Sequence, residues 1–143
     1  MLEDRILTDY RNVAVVGISA RPERPSHRVA VYLSEHGYNV IPVNPALEEV
    51  IGRTCYPDLS SIPDRVEVVD IFRKPEDVVP VVREATRVGA KAVWMQEGVI
   101  NEEAASLARE AGILVVMDRC MLKEHVRMLR EHMQSGGEQS GRP

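Results

Sequence analysis

Ser19, Arg21, Arg24, Ser26, His27 and Arg28 fall within ten consecutive positions, directly after an apolar run at 13–18 that contains Gly17. Hydroxyls and guanidinium groups crowded in this way suit the holding of an oxyanion such as phosphate, because arginine presents a planar fork of donors that matches two phosphate oxygens. Gly17 lets the backbone turn close to a ligand. Val29, Tyr32, Leu33 and His36 then repeat at i, i+3, i+4 and i+7, so the basic turn leads into a helix whose unpaired N–H groups also favour an anion. The competing reading is a solvated basic turn with Ser26 as helix N-cap.

Other candidates lie at the ends of later apolar runs. Arg73 and Lys74 follow Phe72, the chain's one phenylalanine, and would meet a polyanion from the side opposite Arg21 and Arg24. Their alternative is a solvated charge pair matched by Glu76 and Asp77. Asn44 and Pro45 close the second run, where NAD-binding units place an acid to hold the ribose hydroxyls. The absent acid argues against a nicotinamide cofactor and leaves Asn44 as a ribose or adenine contact or as an Asx turn. Gln96, Glu97 and Gly98 form a further polar loop.

Cys120, with Asp118 and His125 nearby, raises the idea of a nucleophile. A spacing of five does not place Cys120 and His125 on one helix face, so Cys120 is read as a buried or incidental thiol. Cys55 and Cys120 have neither disulfide-framework nor zinc spacing, and His27, His36 and His132 stand singly, so no metal is expected. No catalytic residue is assigned.

The elements that must position these residues alternate. Short β-branched runs at 13–18, 39–43, 66–71, 92–95 and 113–116 read as strands, and helical stripes follow the first, third, fourth and fifth. Asn101 serves as a cap, Asp77 as another that leaves Pro80 at a harmless third position, and Gly37, Gly89 and Gly112 as stops. The stretch 46–65 is an irregular crossover, with short helical turns expected near Glu48 and Leu59. Alternation of this kind predicts an α/β fold: one Rossmann-like domain over 1–133, a five-stranded parallel sheet with helices on both faces, and strand order 3-2-1-4-5. Residues 134–143 are expected to be a disordered tail. Ligands of such sheets bind outside the strands' carboxyl ends, where the order reverses.

At 143 residues, with 44% hydrophobic and 28% charged residues, the composition fits one globular domain. A net charge of -4 disfavours nucleic acid as a partner. The early acids Glu3 and Asp4, and the lack of a long apolar run, predict a cytoplasmic chain without a membrane span.

Taken together, Gly17-Ile18-Ser19, Arg24-Pro25-Ser26, Val43-Asn44-Pro45, the segment Val69-Asp70-Ile71-Phe72-Arg73, Val93-Trp94-Met95-Gln96-Glu97-Gly98 and Met117-Asp118-Arg119-Cys120 with Glu124-His125 resemble the stand-alone CoA-binding domain family. That family is related to the N-terminal domain of the succinyl-CoA synthetase α subunit. The resemblance implies binding of coenzyme A or an acyl-CoA without catalysis by this chain alone. It also implies a place for each candidate: Gly17, Ser19 and Ser26 at the phosphate turn, Asn44 and Pro45 on the adenosine side, Arg73 and Lys74 in the next loop, and Gln96 to Gly98 at the pantetheine exit. The larger synthetase domain carries a glycine-rich, lysine-bearing loop after its second strand, whereas this chain has Asn44-Pro45-Ala46-Leu47-Glu48. The arginines of the first turn or Lys74 would then have to meet the 3′-phosphate. A nicotinamide-dependent oxidoreductase and a regulatory partner with a vestigial site remain as alternatives, and the resemblance names no protein partner.

Overall fold

A computed structural model describes residues 1–140, with side chains as far as Gln134. Five parallel strands form the central sheet: β1 (Asn12–Val16), β2 (Asn39–Val43), β5 (Val68–Ile71), β6 (Ala92–Met95) and β7 (Leu114–Val116). The helices are α1 (Leu2–Asp9), α2 (Pro25–Glu35), α3 (Val78–Arg87), α4 (Glu102–Glu110) and α5 (Met121–Ser140). A two-stranded antiparallel ribbon, β3 (Glu49–Val50) and β4 (Arg53–Thr54), lies within the crossover from β2 to β5.

The strand order is β2-β1-β5-β6-β7, which in chain order of the five long strands is 2-1-3-4-5. The expected 3-2-1-4-5 is therefore corrected. That order would have made β2 an interior strand, yet β2 contains Pro42, and an interior strand cannot spare the missing N–H. At the edge the ring is harmless. The Pro42 carbonyl faces outward to the Tyr56 amide at 3.0 Å, so the proline's nitrogen lies on the side away from β1. The interior place goes to β5, whose four residues are all buried.

Alternate residues of the strands supply two cores. Ala14, Val69 and Val93 face α3 and α4, where Val78, Val82, Ala104 and Ala108 are buried. Val13, Val15, Val68 and the fully buried Trp94 face α1, α2 and α5. Trp94 is a core residue, as its position in the strand suggests, and its Nε1–H donates to the Arg119 carbonyl at 2.9 Å.

The helix ends follow local chemistry. The Asn101 side chain caps α4 by accepting from the Ala104 amide at 2.9 Å, and Asp77 occupies the N-cap position of α3 without a side-chain bond. In α2 the expectation of a Ser26 cap fails: Arg24 holds that position, Pro25 is the first helical residue, and Ser26 lies inside the first turn. The turn near Leu59 is present as Leu59–Ser61, whereas Glu48 leads into the ribbon. The backbone of α5 continues to Ser140, into the stretch read as a tail; residues 141–143 of that stretch lie outside the described residues.

Candidate functional site

Because the order reverses between β1 and β5, the connections leaving these strands diverge to opposite faces and open a crevice at their carboxyl ends. The two loops touch at Gly17. Its φ is +88°, and a Cβ there would stand 2.3 Å from the Phe72 carbonyl oxygen. The close approach expected toward a ligand is thus made, at this residue, by the neighbouring backbone.

Beyond Gly17 the turn is held by its own hydroxyls. The Ser19 amide donates to Ser26 Oγ at 2.9 Å, the Arg21 amide donates to Ser19 Oγ at 3.1 Å, and His27 Nδ1 donates to the Ser19 carbonyl at 2.9 Å. Ser26 is buried, and its own amide makes no bond among the described residues. An anion-ready helix start results, because Pro25 has no N–H and the N-cap Arg24 supplies no side-chain acceptor.

This turn forms one wall of a cavity of about 630 Å³. Gly17, Ser19, Arg21, Arg24 and Ser26 line it from the β1 side, and Gln96 and Glu97 line it from the loop after β6. Among the described residues, four cations, Arg21, Arg24, Arg28 and Lys123, face it against one acid, Glu97. The acid is matched: Lys123 Nζ donates to its two oxygens at 2.9 and 3.1 Å, and this hydrogen bond, with the Glu97 charge, holds the ammonium above its usual range. Arg21 pairs with Glu23 at 3.1 Å, and Arg28 donates to the Glu23 carbonyl. The Arg24 side chain has no partner among the described residues.

The cavity also has uncharged wall. Phe72, Val99 and Leu122 supply its apolar part, and Cys120 and Gln96 line it too. Gln96 Oε1 accepts from the Met121 amide at 3.2 Å, which ties the β6 loop to the start of α5. Asp118, at φ +60°, accepts from the Gly98 amide at 2.8 Å and joins the same two loops.

Not every expected residue reaches this cavity. Gly98 is taken up by Asp118, and neither Pro45 nor Asn44 lines the wall. Both ends of the Asn44 amide are used, Nδ2 donating to the Ile18 carbonyl at 2.8 Å and Oδ1 accepting from the Ala46 amide at 2.9 Å, so the Asx-turn role is the one seen. The Arg73 stem packs toward Gly17, with Cδ 3.4 Å from the ideal Cβ position, and Lys74 holds the N-cap position of the turn Pro75–Asp77. Neither lines the wall with Arg24.

Lys123 and Leu122 were absent from the sequence candidates. The signal for them was available, since β7 is one of the strands whose carboxyl ends define the site and α5 starts directly after it. Asp70 was also passed over. It lies fully buried in β5, paired in register with Val15 and Trp94, and neither carboxyl oxygen has a hydrogen bond. Burial pushes its carboxyl well above the usual range.

A Cys120–His125 pair does not form. His125 Nδ1 is bonded to the Tyr32 hydroxyl at 2.7 Å, in an aromatic cluster with His36 and Tyr38, while Cys120 faces the cavity. Among the described residues no group of three or more His, Cys, Asp or Glu side chains could hold a metal ion, and no helix is long and apolar enough to cross a membrane.

The family model described as "CoA binding domain" matches residues 11–126. The uncharacterized protein YneT of Bacillus subtilis is 38% identical over 120 residues, covering 84% of this chain and 89% of that one. A solved structure of a hypothetical protein from Pyrococcus horikoshii is 50% identical with a TM-score of 0.87, covering 89% of each chain. An ADP-forming acetate–CoA ligase of Archaeoglobus fulgidus is 30% identical over 96 residues, which is 65% of this chain and 14% of the ligase. With its Rossmann-like α/β sheet and a family match over most of its length, the chain belongs to the CoA binding domain family.

Proposed function

We propose that the chain binds coenzyme A or an acyl-CoA and, by itself, performs no reaction on it. The observation that carries this reading is the charge of the cavity: four cations against one acid, at a helix amino end, in a chain whose net charge is -4. Such a wall draws in a polyanion of nucleotide size, and a volume of about 630 Å³ suits part or all of a cofactor.

The diphosphate would lie over Ser19, Ser26 and the first amides of α2, with Arg24 and Arg28 at its side. The pantetheine arm would run past Phe72 toward Gln96 and Glu97. The absence of an acid at the end of β2 supports coenzyme A over a nicotinamide dinucleotide. The ligase relative aligns with the chain over 14% of its length, and among the described residues the cavity wall has no histidine to take up a phosphoryl group. Both support a binding role.

Calorimetric titration with coenzyme A, dephospho-coenzyme A and NADH tests the reading. Saturable binding is expected with coenzyme A, weaker with dephospho-coenzyme A and weakest with NADH. Arg24→Glu is expected to weaken coenzyme A binding by roughly tenfold or more, since a free forked donor becomes a like charge. No heat with coenzyme A at about 1 mM, the limit of weak specific binding, would end the proposal.

A further inference from the structure

Two groups on the cavity wall are left unexplained by nucleotide binding. Gln96 is 5% exposed, and its carbonyl oxygen is committed to the Met121 amide. Its Nε2 has no hydrogen-bond partner among the described residues, and it is not among the side-chain atoms sealed from solvent without one. Gln96 lines the cavity, and its Nε2 carries two N–H donors left without an acceptor among the described residues.

Beside it on the wall is Cys120, 8% exposed and unpaired. Cys55, the other thiol, lies elsewhere, 3.6 Å from the Asn44 carbonyl it donates to, and burial pushes it above its usual range. The amino end of the 20-residue α5 supplies positive potential close to Cys120, and Lys123, paired with Glu97, lines the same cavity. The cavity wall therefore presents a cysteine sulfur, an amide donor and a cation.

We infer that the wall bearing Cys120 and Gln96 is a thiol–disulfide exchange site, in which Cys120 reacts with a coenzyme A disulfide to form a protein–coenzyme A mixed disulfide. The inference rests on the coenzyme A reading above and adds to it a reaction of the ligand's own sulfur. In the step, the Cys120 thiolate, its proton released to solvent, attacks the near sulfur of the disulfide. The S–S bond breaks as the new one forms, and the second thiolate departs and takes up a proton. Cys120 is oxidised, the departing sulfur is reduced, and no other oxidant is consumed. Gln96 Nε2 donates to the carbonyl of the pantetheine amide nearest the sulfur and so fixes the disulfide against Cys120.

The experiment is intact-mass spectrometry of the reduced full chain after exposure to coenzyme A disulfide, with oxidised glutathione in parallel. One adduct is expected, mapped to Cys120, removed by dithiothreitol, and formed at least roughly tenfold faster than the glutathione adduct because docking raises the local concentration. 3′-Phospho-ADP, which has the nucleotide and no sulfur, is expected to slow it. Cys120→Ser should abolish the adduct, and Cys55→Ser should keep it. Gln96→Glu, which retains the oxygen that accepts from Met121, should slow adduct formation at least roughly tenfold.

An adduct on Cys55, equal rates with oxidised glutathione, or no adduct from a chain that binds reduced coenzyme A by calorimetry would each overturn the inference and leave the binding proposal standing. Absence of both adduct and calorimetric binding would remove the two together.

Discussion

At Gly17 two constraints coincide: a φ of +88° that side chains rarely adopt, and a Phe72 carbonyl oxygen that a Cβ would meet at 2.3 Å. Gly112 carries a similar φ of +79° with nothing within 4 Å of the same position. Gly112→Ala is thus expected to cost about 1 kcal/mol and Gly17→Ala about 2–5 kcal/mol, read from urea midpoints. Equal losses would show that the Phe72 backbone moves aside. Asp70 is the other residue with a measurable signature. Its folded-state value is raised by burial, so the folded chain holds a proton that the unfolded chain has released. Stability then falls as pH rises from about 4 through the folded value and stays low above it. Asp70→Val is expected to raise stability at neutral pH by about 1–4 kcal/mol, with the gain shrinking in acid. A loss at neutral pH would reveal a partner for the carboxyl. Neither residue's full role could be read in advance. Gly17 stood out, but the atom that demands it is 55 positions away in sequence, and Asp70 reads as one acid in an apolar run.

Among the elements, the seam between α2 and α5 holds a cluster of rings in which His125 is central. His125 packs against Tyr32, His36 and Tyr38, and burial, with the charges of His36 and Arg11, lowers its affinity for a proton. The unfolded chain therefore takes the proton first, and stability is lost as pH falls below about 6.5 toward the folded value. Thermal melts across that window should show a steeper loss for the parent chain than for His125→Gln; parallel curves would mean the ring stays accessible to protons. The stripe Leu122, His125, Val126 and Leu129 placed this helix correctly because four residues at helical spacing make a strong signal. α1 was missed for the opposite reason. Two turns with Leu2, Ile6 and Leu7 are too short to show a period, although Ile6 and Leu7 are fully buried. The ribbon β3–β4 has two residues per strand and no alternation to detect.

For the whole molecule, the alternation of strands and helices, the parallel sheet and the end of it that bears the cavity were all legible, because apolar runs and glycine stops are local properties. The order of the strands was not local. It follows from which strand can stand at an edge, and Pro42 held that information once read against both faces of the sheet. The same distinction applies to the site: the first turn announced its charges in ten residues, whereas Gln96, Cys120 and Lys123 come together only through the fold. Edge placement of β2 has a further effect. Outward groups that Pro42 and Asn44 would offer are already engaged by Tyr56, at 3.0 and 2.9 Å, and the opposite edge, β7, is three residues long. An unpaired segment of a neighbouring chain finds little ladder to extend at either border, which guards the sheet against stacking side by side into aggregates while newly made copies crowd together.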